Sequence, residues 1–220
     1  MERRIRFYFL QDVLGGRAFN ENILTSWIEG KAPEGKNISD EIANRGIEDV
    51  VENKMTGFSK EQGCPHIWDY QIKGFLKEAM GALKKLPNTE SSKQKAHKKA
   101  VDNYIFFDAR TSRKIFFHNA DGSRVNNSQL KEEERSLRAS TMQGERVSIA
   151  RSESVPAGTY VEFDMIVMDE SLNKAIDECF NYGRYKGFGQ WRNAGFGTFM
   201  WMEFDKAGNV IAGNLRQARA

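Results

Sequence analysis

The sequence is poor in the residues that build metal and disulfide sites. It has two cysteines, Cys64 and Cys179, and neither belongs to a C-x-x-C pair, which excludes a zinc ribbon and a thioredoxin-type site. It has three histidines, and no second pair of ligands stands at metal-binding spacing from any of them. We therefore expect two free thiols, no bound metal and no small-molecule cofactor.

Long hydrophobic runs are also missing. No apolar stretch approaches the roughly 18 residues that a membrane-spanning helix needs, and the mean hydropathy is -0.62. The first residues are basic but lack the apolar core and the small-residue cleavage site of a secretory signal. We therefore expect a cytoplasmic protein that makes no membrane contact.

The residues that are present suit a globular protein. Hydrophobic residues make up 40% of the chain, charged residues 29% and aromatic residues 11%, a balance that excludes a disordered chain. The 220 residues fit one elaborated domain, since no linker divides them. The net charge of +3 permits a nucleic-acid partner without requiring one.

Two segments alternate between apolar and polar residues and predict strands. They are residues 4–10, where Ile5, Phe7 and Phe9 share a face, and residues 159–168. Shorter strands are predicted at residues 101–108, 113–117, 146–150 and 196–204, the first two joined by a turn, with a hairpin turn at Gly208-Asn209.

Helical spacing of apolar residues predicts two clear helices. One covers residues 70–85 and carries Ile72, Leu76, Ala79, Met80 and Leu83; the other carries Leu172, Ala175, Ile176, Cys179 and Phe180. A further helix is predicted over about residues 40–53, where Asp40 and Glu41 suit a helix N-terminus. Residues 119–136 lack periodicity, and residues 214–220 are expected to fray.

The order of these elements predicts the fold class. Each half of the chain contains a helix packed on antiparallel strands, which is the split β-α-β pattern of ferredoxin-like and RRM-like domains. We therefore expect an α+β protein with an antiparallel sheet and helices on one face. Residues 119–136 would form an irregular insertion in a single domain over residues 1–220.

The strongest local motif is a glycine-rich loop over residues 187–197, GFGQWRNAGFG. Two Gly-Phe-Gly triplets flank five residues that include Trp191 and Arg192. Glycines allow close backbone approach, and their amide groups can bind a phosphate. Trp191 offers a stacking face and Arg192 a phosphate contact. The alternative is an ordinary glycine-capped loop between a helix and a strand.

This loop resembles that of the RAMP superfamily (repeat-associated mysterious proteins) of CRISPR systems. Its members have ferredoxin-like folds and a loop of the form G-hydrophobic-G, five residues with a Lys or Arg, and G-hydrophobic-G. Two further segments resemble the backbone subunits of CRISPR effector complexes. They are residues 146–163, which end in a P-x-G-T-hydrophobic strand, and residues 67–77, an early helix with the pair Lys73-Gly74.

The sequence departs from the family pattern at one place. The turn before the early helix has a P-G-S-S-like form in the family, whereas Pro65, His66, Ile67, Trp68 and Asp69 stand there in this chain. Contacts that the family makes through that turn are therefore not carried over. The chain as a whole also resembles small stand-alone proteins of tailed bacteriophages.

The resemblance implies a groove for single-stranded RNA near the glycine loop, the early helix and the middle insertion. The residues that it makes candidates for binding are Lys73, Arg138, Arg146, Arg151, Lys186, Gly187, Gly189, Trp191, Arg192, Gly195 and Gly197. The alternative for each charged residue of this set is a solvated surface charge. The alternative for residues 137–151 is an exposed hairpin.

The expected function is non-catalytic binding of single-stranded RNA or DNA with little sequence preference, by copies that assemble side by side as a homo-oligomer. One alternative is a metal-independent endoribonuclease. His66, close to Trp68 and Tyr70, is the one candidate for its acid or base. Another alternative is a protein-interaction or assembly factor that keeps the fold, such as a mimic of an effector subunit.

Overall fold

The computed structural model describes residues 1–18, 55–108, 112–141 and 144–215, with the backbone alone at 137–141 and 144–148. The helix predicted over about residues 40–53 lies outside this range. So do residues 216–220 of the predicted frayed tail. The prediction of one domain over residues 1–220 therefore stays a prediction.

The described residues form strands and helices in the following order. The strands are β1 (Glu2–Phe9), β2 (Val13–Leu14), β3 (Arg17–Ala18), β4 (Thr56–Gly57), β5 (Ser59–Glu61), β6 (Cys64–Trp68), β7 (Ile105–Phe107), β8 (Lys114–His118), β9 (Lys131–Thr141), β10 (Gly144–Val155), β11 (Tyr160–Val167), β12 (Phe199–Phe204) and β13 (Val210–Gly213). The helices are α1 (Asp69–Leu83), α2 (His97–Tyr104) and α3 (Asn173–Lys186).

The main sheet has the strand order β13-β12-β1-β11-β8-β6-β5, with β7 also paired to β11. Its central strands β12-β1-β11-β8, taken with α1 and α3, reproduce the β-α-β-β-α-β order of the split β-α-β fold. The four strands β1, β8, β11 and β12 pair antiparallel. The predicted α+β class and the antiparallel sheet are confirmed.

The core lies between this sheet and its helices. Ile5, Phe7 and Phe9 alternate along β1 and are fully buried, because every second residue of a strand faces the same side. Phe7 stacks on Phe199 of β12 with ring centroids 4.1 Å apart. Each such buried ring contributes about 2–3 kcal/mol of hydrophobic stabilisation, so this alternation largely explains why β1 occupies the centre of the sheet.

A second sheet extends from the end of the first. Its order is β2-β10-β4-β3, and β9 pairs with β10 along its whole length. The β9–β10 hairpin, residues 131–155, is called the arm below. Its pairing runs from Lys131 opposite Ser154 to Thr141 opposite Gly144. Only the base of the arm pairs with other strands, at Ser152 with β4 and at Ser154 and Val155 with β2.

The two strands predicted over residues 101–108 and 113–117 are present as β7 and β8, but the first begins only at Ile105. Residues 101–104 belong to α2, because Val101 packs into the core from a helix that begins at His97. A short apolar segment does not distinguish helix from strand by periodicity alone. In addition, β7 and β8 both pair with β11, so they form one interrupted strand along its edge.

The predicted irregular insertion is also wrong over part of its length. Residues 131–136 belong to β9, which is polar and lacks alternation. Hydrogen bonds to β10 hold this strand in place. Its formation therefore depends on the partner strand and not on a pattern in its own sequence. The expected fraying does not begin at Asn214 either, because the Asn214 side-chain oxygen accepts a hydrogen bond from the Trp201 amide at 2.9 Å.

Some features expected to be absent can be examined only in the described part of the chain. There, Cys64 and Cys179 are free thiols, and burial raises the pKa of Cys179 to about 12. In the same described residues, no group of three or more His, Cys, Asp or Glu side chains is arranged to hold a metal ion. None of their helices combines the length and the apolarity needed to cross a bilayer.

Candidate nucleic-acid interface

A cleft of about 1050 Å³ lies beside the first turns of α1. Its other walls come from the β2–β3 turn, strands β4 to β6 and the glycine loop. Three arginines line it, Arg17, Arg113 and Arg192, together with the carboxylates of Asp69 and Glu78. The cleft is therefore a mixed surface with a slight excess of positive charge.

One face of α1 forms the floor of the cleft. Tyr70, Gly74 and Glu78 are spaced four residues apart, so they lie in a row along the helix. Glu78 stands eight positions after Tyr70, which corresponds to about 12 Å of helix. A Cβ added to Gly74 would meet nothing within 4 Å, so the middle of the floor is open.

The row defines two ends of the cleft. We call the region of Glu78, Arg192 and the glycine loop (residues 187–197) the loop end. The region of Trp68, Tyr70, Arg17 and Arg113 is the aromatic end. The two ends differ in how far their polar groups are already engaged.

The glycine loop is closed by its own backbone. The amide of Phe188 donates to the carbonyl of Gly197 at 2.8 Å, which ties the two triplets together. The amide of Gly197 donates to the carbonyl of Asp12 at 2.8 Å, and that of Gln190 to Leu14 at 3.2 Å. These amides point at protein carbonyl oxygens, so they are not available to a phosphate in this arrangement.

Close approach explains the glycines of this loop. Gly197 has a φ of +69°, and a Cβ there would collide with the carbonyl oxygen of Phe188. A Cβ on Gly187 would collide with the carbonyl oxygen of Phe196. By contrast, Gly195 has a φ of +90° but open space around it. Thus Gly187 and Gly197 are required by packing, and Gly195 by backbone conformation alone.

The charged residues of the loop end form an ion triad. Glu78 accepts from the Arg192 guanidinium at 2.7 Å and from the Lys186 ammonium at 3.0 Å. Burial acts to raise the pKa of Glu78, but the hydrogen bonds from Arg192 and Lys186 outweigh it and hold that pKa below its ordinary value. The carboxylate therefore stays ionised and occupies both predicted phosphate ligands.

Trp191 is held between other side chains. It adopts a left-handed φ of +50°, rare for a residue with a side chain, and stacks on Phe196 with centroids 5.1 Å apart. The Arg135 guanidinium of the arm lies 5.4 Å from the ring centroid, and it donates to the side-chain oxygen of Gln190 at 2.8 Å. The indole thus already has stacking neighbours.

Two other predicted residues, Lys73 and Arg151, have partners outside the cleft. Lys73 lies on α1 but turns toward β7, with its ammonium 5.1 Å from the centroid of the Phe106 ring. Arg151 pairs with Glu134 within the arm at 2.6 Å. The backbones of Arg138 and Arg146 belong to the arm, and their side chains lie outside the description. Of the eleven predicted binding residues, Gly189 and Arg192 line the cleft.

The aromatic end lies where β6 leads directly into α1. The rings of Trp68 and Tyr70 are nearly parallel, at 13°, with centroids 6.4 Å apart. Trp68 is fixed by a hydrogen bond from its indole N–H to the Ser59 hydroxyl at 3.1 Å. Tyr70 is 62% exposed.

His66 also lines the cleft, beside Trp68. It is 3% exposed, and neither ring nitrogen finds a hydrogen-bond partner in the described part of the chain. Its ring packs edge-on against Trp68 with centroids 5.1 Å apart. Burial, aided by the positive charge of Lys114, lowers its pKa. The ring is therefore neutral near pH 7 and shielded from water.

Sequence reasoning singled out Trp68 and Tyr70 as neighbours of His66, but it missed the two arginines of the aromatic end. Arg17 lies in β3 and Arg113 directly before β8, far apart in the sequence, so no local pattern links them. Tyr70 did leave a signal, because it stands on the helix face opposite the predicted apolar row of α1. An aromatic residue on that face has no core to join and is exposed.

Comparisons with known proteins agree with the observed fold. No protein-family model and no curated protein matches the sequence. The chain is similar to a solved structure described as a type III-B Cmr-beta complex bound to cognate target RNA, with a TM-score of 0.51 and 11% identity. That match covers 97% of this chain, which spans about 60% of the length of the matched chain.

Two further solved structures resemble it more distantly. A chain of a type IV-B CRISPR complex matches with a TM-score of 0.49 and 9% identity, covering 96% of this chain and 94% of that one. Cmr6 from Pyrococcus furiosus matches with a TM-score of 0.44 and 10% identity, covering 93% and 98%. The first likeness shows a shared fold.

Proposed function

We propose that this protein is a RAMP-type protein that binds single-stranded nucleic acid in the cleft beside α1. The observation that carries the proposal is the cleft itself, where three arginines and the Trp68–Tyr70 ring pair line one continuous surface. Grooves that bind single strands combine positive charge with aromatic rings on which bases stack. A single strand, unlike a duplex, can present both its phosphates and its bases to such a surface.

The fold likeness supports the same proposal. The matched Cmr-beta complex is described as bound to cognate target RNA, and its fold is shared by this chain. The glycine loop and the early helix, which carry the family resemblance in the sequence, both contribute walls to the cleft. The strand would run along the row from Tyr70 to Glu78.

Binding of this kind depends on charge and varies with salt. The net charge of +3 is small, so we expect modest affinity per protein copy. Copies that assemble side by side along the strand would supply the rest as a homo-oligomer. Each phosphate contact adds about 0.7 to the slope of affinity against salt on a single strand, so the slope counts the contacts.

The test places a negative charge on the cleft floor. A Cβ at Gly74 meets no described atom within 4 Å, and Gly74→Glu adds one carboxylate in the middle of the row. We expect fluorescence anisotropy with labelled single-stranded RNA and DNA of about 15 nucleotides, longer than most single sites, to show at least tenfold weaker binding. Asn103→Glu, which makes the same charge change on exposed α2, is the control. Equal affinities of the two variants would contradict binding in this cleft.

The proposal includes no catalytic step. The ring nitrogens of His66 are buried, and a general acid or base must reach the proton that it moves. We expect labelled RNA to remain intact during prolonged incubation with the wild-type protein. Cleavage that His66→Phe abolishes, with binding retained, would instead support the endoribonuclease.

A further inference from the structure

The aromatic end offers a free ring face inside the cleft. Tyr70 is 62% exposed and is backed by Trp68, whose orientation is fixed by Ser59. Trp191, at the other end, already contacts both Phe196 and Arg135. An incoming base could therefore stack on Tyr70 without first displacing another side chain.

The charges near Tyr70 are also less engaged than those of the loop end. Arg17 donates to the Ser59 hydroxyl at 3.2 Å, and no carboxylate among the described residues pairs with it. Arg113 is exposed and likewise forms no ion pair within those residues. Lys114, close by, is already neutralised by Glu61 at 2.6 Å. Two guanidinium groups thus remain for an anionic ligand.

Among the described residues, one carboxylate lines this part of the cleft, and it has a structural contact. The Asp69 side chain accepts a hydrogen bond from the Tyr70 amide at 2.8 Å, in the first turn of α1. It therefore competes less directly for Arg17 and Arg113 than Glu78 competes for Arg192. The local excess of positive charge alone would suit either a phosphate-bearing ligand or an acidic peptide. The exposed ring of Tyr70 favours a base, so the two features together favour a nucleic acid.

We propose that the aromatic end is a nucleobase subsite of the cleft. One base of the bound strand stacks on Tyr70, supported by Trp68, and the flanking phosphates contact Arg17 and Arg113. This inference rests on the proposed function and specifies where the strand is held. Trp68 ends β6 and Tyr70 lies in the first turn of α1, so the subsite stands at the junction of these two elements.

The experiment separates stacking from charge. Fluorescence anisotropy compares wild type, Tyr70→Ala and Tyr70→Phe on single-stranded RNA, on DNA and on DNA of equal length with abasic sites throughout. We expect Tyr70→Ala to weaken binding of RNA or DNA by about fivefold to a hundredfold, the usual worth of one stacked base. Tyr70→Phe keeps the ring and should bind like wild type. On the abasic strand, all three proteins should bind alike.

The matched control is Tyr185→Ala, which removes another exposed tyrosine (74% exposed) from α3, outside the lining of the cleft. If Tyr70→Ala binds RNA and DNA as tightly as Tyr185→Ala does, the subsite is overturned while binding in the cleft stands. A lack of binding by the wild-type protein to every strand overturns both proposals. Thermal unfolding of each variant confirms that the exposed substitutions leave the fold intact.

Discussion

The two ends of the cleft share the floor of α1 but are built for different tasks. At the loop end, backbone amides close onto carbonyls and one carboxylate holds two cations. At the aromatic end, a tyrosine ring is exposed and two arginines lack carboxylate partners among the described residues. The loop end carries the recognisable motif, and the aromatic end carries the available binding groups.

This difference shows that a glycine motif can be required by the packing and the backbone conformation of its own loop. The spacing of the two Gly-Phe-Gly triplets is what allows residues 187–189 and 195–197 to pair and to dock on Asp12 and Leu14. A loop of this kind positions α3 against β12 and forms one wall of the cleft. The affinity for a bound strand then depends on those side chains of the cleft that are not engaged in contacts within the protein.

The largest expected effect is on the stability of the loop end. Gly197→Ala places a Cβ against the Phe188 carbonyl and should lower the free energy of unfolding by about 2–4 kcal/mol. Gly195→Ala, in open space, should cost only the roughly 1–2 kcal/mol of a left-handed backbone. Urea unfolding of both variants measures the difference. Equal costs would show that the loop is not a close-packed clamp.

The second prediction concerns the charges of the aromatic end. The double variant Arg17→Gln, Arg113→Gln should weaken binding of single strands about tenfold and reduce the salt slope by about 1.4, or 0.7 per phosphate contact. Anisotropy titrations over a range of salt measure both quantities. Arg184→Gln, on exposed α3, is the single-site control. An unchanged slope in the double variant would mean that neither arginine meets a phosphate.

The third prediction concerns the ion triad. Glu78→Gln frees Arg192 and Lys186, so we expect binding several-fold tighter at low salt and a slope steeper by about 0.7–1.4. The same salt titrations measure this change. Glu90→Gln, which breaks the exposed Glu90–Lys93 pair, controls for the change in net charge. Weaker binding by Glu78→Gln would show that Glu78 orients Arg192 for the strand.

The smallest expected effect is the pH dependence of stability. Burial lowers the pKa of His66, so the unfolded chain binds a proton at higher pH than the folded one. Unfolding then takes up protons, and stability falls as the pH drops below about 6.5. His118 and His97 have lowered pKa values for the same reason. His66→Phe, which keeps a ring beside Trp68, should flatten this fall; an unchanged profile would contradict the burial of His66.

Much of the fold could be predicted because its central elements carry their own periodicity. β1 and β11 alternate, and α1 and α3 show apolar spacing, so local sequence determines their class. β9 could not be predicted in full, since its polar first residues are held by β10. The boundary between α2 and β7 was not predicted, because the short segment around Val101 is compatible with either a strand or a helix.

The candidate site was less predictable for a related reason. Arg192 was found through its motif, but its partner Glu78 lies on another helix. Arg17 and Arg113 come together only when β3 and β8 take their places beside β4 and β6. Local sequence patterns predict the backbone conformation that a segment requires, as the glycines of the loop do. They predict less well which side chains stay unpaired in the folded protein.

Photocross-linking tests the central claim most directly. A single strand that carries 4-thiouridine or bromouracil is bound to the wild-type protein, irradiated, and the modified residues are found by mass spectrometry. The account predicts cross-links to Tyr70 or Trp68 at the aromatic end. Cross-links confined to Trp191 and Phe196 at the loop end would contradict it.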